Sequence, residues 1–151
     1  MTRVLVTGGT GFIGAWVARE LVQHGLTPCL FDLAPRPENL DFVQPGLSDQ
    51  ARLIAGDIRS LADVTNAMRG CEAVIHLAGL MTVDCAADPR LAIEVNLIGS
   101  QNVFSAAAAL GVTRIAFAST GGVYGPDDPV HPRPMTLYGI LKLALEGVAR
   151  V

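Results

Sequence analysis

Basic side chains are few in this sequence, and they nowhere form a run. The 151 residues include 11 Lys and Arg against 14 Asp and Glu, for a formal net charge of −3. Nucleic acids and anionic membrane surfaces are bound largely by clusters of basic groups. Uninterrupted apolar stretches also stay short of the ~20 residues that a membrane-spanning helix needs. The sequence therefore predicts neither a nucleic acid nor a membrane as partner.

Cysteine is scarce as well, and Cys29, Cys71 and Cys85 include no pair at CxxC spacing. An odd number of scattered cysteines favours free thiols in a reducing compartment over a disulfide framework. His24 and His131 have no sequence neighbours that suggest metal binding or catalysis, so no metal site is expected. The N-terminus enters a strand-like run without the basic and apolar regions of a signal peptide, and we expect a cytoplasmic protein.

Hydrophobic residues make up half of the sequence and recur in a regular order of short strands and helices. Strand-like runs occur at 3–7, 28–33, 52–55, 73–77 and 114–118, and the last two helical segments are predicted at 89–110 and 138–151. The proline-containing segment at 34–50 is predicted to be a loop with at most a turn of helix, and the segment at 125–134 is predicted to be a loop. This alternation predicts an α/β domain of Rossmann type, with a doubly wound parallel sheet in the strand order 3-2-1-4-5.

A glycine-rich turn, TGGTGFIG at 7–14, joins the first strand to the first helix. Gly8 permits the tight turn, Gly11 lets the backbone approach a pyrophosphate, and Gly14 lets the helix pack closely against the strand. The N–H groups at the helix start, at Phe12 and Ile13, then face the phosphates. An ordinary tight turn is the alternative, but the position between strand and helix favours a dinucleotide site.

An acidic residue at the end of the second strand supports this interpretation. Asp32 lies 18 residues after Gly14, close to the ~20 expected for the acid that binds the adenosine ribose. Its carboxylate accepts hydrogen bonds from the ribose hydroxyls and repels a 2′-phosphate, which favours NAD over NADP. A capping role for Asp32 and an NADP-binding role for Arg36 are the alternatives.

Tyr138 and Lys142 lie four residues apart on the last predicted helix, so their side chains share one face. A nearby ammonium lowers the pKa of a tyrosine from its usual value near 10, which would make Tyr138 an acid/base group. Lys142 can also bind the nicotinamide ribose. Ser119 and Thr120 follow the fifth strand, where ligands bind in such folds. The alternatives are an exposed Tyr–Lys pair and simple turn formation.

Six segments resemble, in order, those of the extended short-chain dehydrogenase/reductases, the family of NAD-dependent epimerases and dehydratases. They are TGGTGFIG at 7–14, GDIR at 56–59, HLAG at 76–79, EVNLIGSQNV at 94–103, FASTGGVYG at 117–125 and YGILK at 138–142. The resemblance implies a Rossmann-type domain that binds NAD. It also implies a small-molecule substrate, namely a sugar, a nucleotide sugar or another alcohol.

The resemblance implies roles for the residues at matched positions. Thr120, Tyr138 and Lys142 match the catalytic residues, with Ser119 as the alternative hydroxyl. The implied cofactor-binding residues are Gly8, Gly11, Phe12, Ile13, Gly14, Asp32, Asp57, Ile58, Leu77, Ala78, Gly79, Asn96, Tyr138 and Lys142. For His76, at the end of the fourth strand, a buried structural role is the favoured interpretation.

Departures from the family pattern narrow the expected activity. Gly121 and Gly122 stand where sugar 4,6-dehydratases carry an acidic pair, which argues against dehydration. Met81 stands where UDP-galactose-type epimerases tend to carry lysine. The interval from Thr120 to Tyr138 is short for a sugar-nucleotide enzyme, which favours a smaller substrate.

Hydride transfer at an alcohol carbon, by an NAD-dependent sugar or nucleotide-sugar epimerase or dehydrogenase, is the predicted function. Family members continue with another strand and a substrate-binding domain. Residues 1–151 are therefore expected to be the NAD-binding part of a longer enzyme, truncated after the Tyr/Lys helix, without turnover of their own. An inactive dinucleotide-binding or oligomerising module is the alternative.

The resemblance also predicts a homodimer, because two long helices pair with a second subunit in the family. The apolar stripe expected there comprises Leu91, Val95, Ile98, Asn102 and Ala106, together with Leu141, Leu145 and Val148. Packing of this stripe against the sheet is the alternative.

Overall fold

The computed structural model describes residues 2–150 as strands and helices in near-regular alternation. The strands are β1 (Arg3–Thr7), β2 (Thr27–Asp32), β3 (Arg52–Ala55), β4 (Ala73–His76), β5 (Ile115–Phe117), β6 (Tyr124–Gly125) and β7 (Asp128–Pro132). The α-helices are α1 (Phe12–Gln23), α2 (Pro37–Val43), α3 (Leu61–Met68), α4 (Thr82–Ala87), α5 (Pro89–Ala92), α6 (Gly99–Leu110) and α7 (Leu137–Val148). A π-helical segment (Ile93–Ile98) joins α5 to α6, and 3₁₀ turns lie at Ser48–Gln50 and Gly121–Val123.

Strands β1 to β5 form one parallel sheet in the order β3-β2-β1-β4-β5. This order confirms the sequence prediction. The chain reverses its direction across the sheet after β3, so β1 and β4 are neighbours although two strands separate them in sequence. Ligands of doubly wound sheets bind at this switch point, outside the carboxyl ends of the strands.

The sheet is buried on both faces, since neighbouring residues of β1 point into different cores. Leu5 faces a cluster with Phe31 and Met68, beneath α3 and α6. Val6 faces a second cluster that includes Ala18 of α1 and Leu40 of α2. The near-continuous apolar character of β1 and β2 follows from this two-sided burial.

The prediction of a loop with at most a turn of helix over 34–50 was wrong, because α2 extends over Pro37–Val43, which is about two turns. Pro37 stands in the first turn of this helix, where its missing N–H breaks no helical hydrogen bond. Burial of Leu40 then stabilises the short helix against α1. The proline that was interpreted as a helix breaker is a helix start.

The loop predicted over 125–134 contains strand structure, because β6 and β7 pair as a small antiparallel hairpin. Pro129 and Pro132 fit there, since a two-stranded hairpin leaves unpaired edges that need no donor. The predicted helix over 89–110 is continuous in space, but its π-helical segment was not predicted. The helix predicted over 138–151 begins at Leu137 and ends at Val148, and Val151 lies outside the described residues.

Three of the eight residues in the apolar stripe assigned to a subunit contact are buried within this chain: Ala106, Leu141 and Leu145. Ala106 belongs to the core beside the sheet, as the alternative interpretation had it, whereas Leu141 packs against Cys85 and Ala92. Leu91 and Val95 line a cleft at the carboxyl edge of the sheet. Of the stripe residues, Ile98 is half exposed.

No helix within residues 2–150 has both the length and the apolar character that crossing a bilayer would require.

Candidate active site

The glycine-rich turn places the start of α1 at the carboxyl end of β1. The first main-chain bond within the helix runs from Ala15 N–H to the carbonyl oxygen of Gly11, at 3.0 Å. The N–H groups of Phe12, Ile13 and Gly14 precede it and have no helical acceptor. They make this helix start suited to an anion such as a phosphate.

Two glycines hold the turn close to its neighbours. Gly8 has φ +66°, and a Cβ there would lie 2.9 Å from the main-chain nitrogen of Ala78. A Cβ on Gly14 would lie 2.3 Å from the carbonyl oxygen of Gly8. Neither position accepts a side chain without backbone movement, so both glycines are required for the close approach of α1, β1 and β4.

Asp32 fixes the conformation of the turn as well as facing the cleft. Its Oδ2 accepts hydrogen bonds from Thr10 N at 3.1 Å and Thr10 Oγ1 at 2.8 Å. Asn39 Nδ2 donates to the carbonyl oxygen of Thr10 at 2.8 Å. Thr10 and Asn39 were both missed from the sequence. Asn39 could not have been found, since its position depends on the unpredicted helix α2.

A cleft of about 440 Å³ opens at the carboxyl edge of the sheet. Of the cofactor-binding residues predicted, it is lined by Gly8, Gly11, Asp32, Asp57, Ile58, Leu77, Ala78 and Gly79. The side chains of Phe12 and Ile13 are 83% and 59% exposed, so these two residues offer the cleft only main-chain groups. The structure thus brings together residues from the ends of β1, β2, β3 and β4.

Asn96 lies behind the cleft and does not line it. Its Oδ1 accepts from Leu80 N at 2.7 Å, and its Nδ2 donates to the carbonyl oxygen of Leu80 at 2.9 Å. This pair of bonds holds the end of the turn at residues 77–80. Asn96 therefore contacts the wall of the cleft rather than its interior.

The hydroxyl, tyrosine and lysine predicted to be catalytic meet beyond that turn. Thr120 and Tyr138 line a second cavity of about 590 Å³, together with Met81, Tyr124 and Met135. Leu80 lines the first cleft and Met81 the second cavity, so the two spaces meet at these adjacent residues.

Ser119 faces a different group from Thr120. Its hydroxyl donates to Oε1 of Glu146 on α7, whereas Thr120 lines the second cavity with Tyr138. Burial raises the pKa of Tyr138, and the neighbouring Thr120 hydroxyl offsets part of that rise. The geometry therefore points to Thr120 as the hydroxyl that faces a substrate.

The Tyr138–Lys142 pair differs from expectation in its electrostatics. Lys142 is buried, and its Nζ donates to the carbonyl oxygen of Ala118 at 2.8 Å and lies 5.8 Å from the centroid of the Tyr138 ring. Burial lowers the pKa of Lys142. Burial also raises the pKa of Tyr138, and the contact with Thr120 offsets only part of this. The net direction for Tyr138 is therefore opposite to the lowering that the sequence predicted.

A model of the NAD dependent epimerase/dehydratase family matches residues 4–151. The chain belongs to this family. UDP-glucose 4-epimerase 3 of Oryza sativa subsp. japonica is 36% identical over 97% of this chain and 43% of its own length. Human 3 beta-hydroxysteroid dehydrogenase type 7 is 35% identical over 85% of this chain and 35% of its own length.

This chain is similar in fold to the solved structure of Thermus thermophilus UDP-glucose 4-epimerase in complex with NAD. The match has a TM-score of 0.84 and 34% identity, over 99% of this chain and 50% of that chain. The chain thus spans half the length of these relatives or less. The family is NAD-dependent, which confirms the cofactor class predicted from the glycine turn and Asp32.

Asp57 and Arg59 both line the cleft at the carboxyl edge of the sheet, and Arg59 binds the carboxylate of Asp57. Nη2 of Arg59 lies 2.6 Å from Oδ2 of Asp57, and its Nη1 lies 3.3 Å from Oε2 of Glu94. The hydrogen bonds from Arg59 lower the pKa of Asp57 and keep it an ionised acceptor. Such an acceptor suits the exocyclic amino group of adenine.

His76 is buried at the carboxyl end of β4 and is neutral at physiological pH. Burial, with the charge of Lys142 as a lesser cause, lowers its pKa from 6.5 to about 4. Between pH 6.5 and about 4 the unfolded chain binds more protons than the folded chain, so the free energy of unfolding falls as the pH is lowered through this range.

The free energy of unfolding, measured with urea, is expected to be smaller near pH 4 than near pH 7, and His76 is expected to contribute about 3 kcal/mol of that loss. In a His76→Gln variant, the same change of pH should reduce the free energy of unfolding only by the part due to carboxylates. An equal reduction in both proteins would contradict the lowered pKa of His76.

Proposed function

We propose that this chain is the NAD-binding part of a longer NAD-dependent sugar or nucleotide-sugar epimerase or dehydrogenase. The observation that carries the proposal is the meeting of two spaces at Leu80 and Met81. One is a cleft with the features of a dinucleotide site, and the other exposes Thr120 and Tyr138. Support also comes from the relatives, whose named activities include UDP-glucose 4-epimerases and a hydroxysteroid dehydrogenase, and whose length is at least twice that covered.

The residues of the cleft fit NAD. The N–H groups at the start of α1 suit its phosphates. Gly8 and Gly11 line the cleft, where the absence of a side chain lets the backbone approach a pyrophosphate. Asp32 is placed to accept from ribose hydroxyls at the end of β2. When bound, the nicotinamide accepts or donates a hydride.

The protein groups then bind the reacting alcohol and move its proton. Tyr138 exchanges a proton with the substrate oxygen, while the Thr120 hydroxyl binds that same oxygen. Lys142 places a positive charge near Tyr138 and, through Ala118, fixes the end of β5 from which Thr120 extends. Because burial keeps Tyr138 protonated in the free chain, binding of ligands must supply any further activation of the phenolate.

Incubation of the complete enzyme with NAD and candidate alcohols tests this function. An epimerase is expected to interconvert two sugars without net accumulation of NADH, whereas a dehydrogenase is expected to accumulate NADH, which is followed by its absorbance. The absence of turnover with nucleotide sugars, simple sugars and other alcohols would contradict the proposal. It would favour an inactive dinucleotide-binding module.

Cofactor preference provides a separate prediction for the 151-residue chain. NADH is expected to bind more tightly than NADPH, because the Asp32 carboxylate repels the 2′-phosphate, and Asp32→Ala should reduce the preference. Thr10→Val is the matched control, since it removes a hydroxyl that donates to Asp32 but keeps the charge. In fluorescence titrations, Thr10→Val should weaken the binding of NADH and of NADPH by the same factor. Equal affinities for NADH and NADPH in the unmodified chain would refute the role of Asp32.

The chain is further proposed to form a homodimer through the faces of α6 and α7. Ile98, just before α6, and Ile140, on α7, are each 50% exposed. Between the two helices, Phe104 and Val148 line an open groove of about 390 Å³. Exposed apolar surface of this kind favours association.

Sedimentation at micromolar concentration is expected to show a dimer. Replacing Ile98 and Ile140 together by glutamate should give a monomer, because two charges would be buried unpaired in the contact. Val130→Glu, on the exposed hairpin strand β7, is the control and should leave the dimer intact. A monomeric unmodified chain, or a dimeric double variant, would show that these faces do not pair.

A further inference from the structure

Four polar side chains are buried behind the turn at residues 77–80, which forms one wall of the cofactor cleft. They are Thr7, His76, Asn96 and Ser100, and none is more than 2% exposed. Burial of so many polar groups costs free energy unless each is hydrogen-bonded. Among the described residues, no buried side-chain nitrogen or oxygen lacks a partner. Each of these four side chains is therefore hydrogen-bonded.

At the first end of the turn, Thr7 Oγ1 accepts from Leu77 N and from Ala78 N, both at 3.2 Å. The pairing of β1 with β4 does not require this, since Leu77 N also donates to the carbonyl oxygen of Thr7 at 3.0 Å. The side chain extends the attachment by one residue beyond the strands. It provides Ala78 N with an acceptor inside the wall of the cleft.

The imidazole of His76 connects this hydroxyl to the helical side of the turn. Nδ1 of His76 lies 2.6 Å from Thr7 Oγ1, and Nε2 lies 2.8 Å from Ser100 Oγ. Ser100 Oγ in turn donates to the carbonyl oxygen of Asn96, at 2.6 Å. The imidazole of His76, on β4, thus connects β1 to α6.

The number of hydrogens fixes the direction of every bond. The single hydroxyl hydrogen of Ser100 is used towards Asn96, so Ser100 Oγ must accept from His76 Nε2–H. The neutral imidazole then has a bare Nδ1, which accepts the hydroxyl hydrogen of Thr7. Thr7 Oγ1 remains free to accept from the two main-chain N–H groups.

Asn96 closes the chain of bonds into a ring. Its side chain binds both the N–H and the carbonyl oxygen of Leu80, at the second end of the turn. The ring formed by Thr7, His76, Ser100 and Asn96 thus holds the turn at both ends. Gly8 packs against the same turn from the other side, at Ala78.

We propose that Thr7, His76 and Ser100 are positioning residues of the cofactor site, which fix the backbone at residues 77–80 against the bound dinucleotide. The inference rests on the proposed function, because it concerns the wall of the same cleft. None of the three side chains lines the cleft. They act through the main chain of Leu77 and Ala78 and through the side chain of Asn96.

Ser100→Ala tests the ring at a position that touches neither the turn nor the cleft. Loss of this hydroxyl is expected to speed hydrogen exchange of the Ala78 and Leu80 amides by about tenfold and to weaken NADH binding by a similar factor. Exchange at Gly56, whose N–H bonds to the carbonyl oxygen of Asp32 on the other side of the cleft, should not change.

Three further variants separate positioning from general destabilisation. Ser105→Ala removes a hydroxyl from the same helix, where it accepts only from Gln101, and should change neither readout. Thr7→Ser keeps the hydroxyl of the ring and should retain NADH affinity. Thr7→Val should weaken NADH binding to the same extent as Ser100→Ala.

Nitrogen NMR of the unmodified chain completes the test without any substitution. His76 is expected to be the neutral Nε2–H tautomer, with the exposed His24 and His131 as references in the same spectrum. An Nδ1–H tautomer, or unchanged amide exchange and NADH affinity in Ser100→Ala, would overturn the ring. Failure of the unmodified chain to bind NADH would overturn the proposed function instead, and with it the cofactor role of these residues.

Discussion

Replacing Tyr138 by phenylalanine is expected to reduce turnover of the complete enzyme by about 10²-fold or more, with NADH affinity nearly unchanged. The substitution keeps the ring and removes only the hydroxyl that exchanges a proton with the substrate. Steady-state rates and fluorescence titration of NADH measure the two effects separately.

Tyr124→Phe is the matched control for this experiment. Tyr124 lines the same cavity and loses the same hydroxyl, but it is not the tyrosine beside which the Lys142 ammonium lies. Loss of the Tyr124 hydroxyl should change turnover by less than about tenfold, the upper range for one ordinary neutral hydrogen bond. Comparable losses in the two variants, or near-normal turnover in Tyr138→Phe, would remove Tyr138 from the reaction.

Replacing Gly14 by alanine is expected to destabilise the chain by roughly 2 kcal/mol or more and to abolish detectable NADH binding. The added Cβ would lie 2.3 Å from the carbonyl oxygen of Gly8 and 2.7 Å from main-chain atoms of Gly9. Only movement of the turn itself can relieve this contact. That movement would displace the N–H groups at the start of α1.

Gly147→Ala makes the same chemical change near the end of another helix, α7. There a Cβ meets no atom within 4 Å, and alanine is the better helix former by about 0.5–1 kcal/mol. Urea unfolding should therefore show changes of opposite sign in the two variants. A small effect at Gly14, or NADH binding that survives there, would show that the turn tolerates a side chain and that close packing is not its role.

The parts of the fold that could be predicted are those specified by local pattern. The alternation of strand-like runs and helical stripes was sufficient for the fold class, and the order 3-2-1-4-5 followed only as the usual order of a doubly wound sheet. The glycine turn and Asp32 were correctly placed at its carboxyl edge. Helix α2 was missed because the effect of a proline depends on where in a helix it stands. Pro37 looks the same in sequence whether it stops a helix or begins one.

Site properties that depend on direction could not be predicted in this way. Spacing placed Tyr138 and Lys142 on one face of a helix, but the Lys142 ammonium is directed at the carbonyl oxygen of Ala118. Spacing likewise predicted an apolar stripe on α6, but not which half of it faces the sheet. Hydrogen-bond direction and burial depend on segments distant in sequence, such as the contact between Thr10 and Asn39.

The π-helical segment at Ile93–Ile98 makes this chain sensitive to its exact length. A π turn contains one residue more than the α-helix needs, and each residue in a helix corresponds to ~100° of rotation. Deleting a single residue there would let the segment become α-helical without breaking the helix. A deletion between Asn96 and Ser100 would turn everything on the N-terminal side of the gap by that angle relative to α6. Asn96 would then lose its bonds to Leu80, while Ser100 would keep its place against His76. A deletion that preserves the helix would thus separate the cofactor wall from its support, whereas a substitution at an exposed position such as Ile93 would leave that geometry intact.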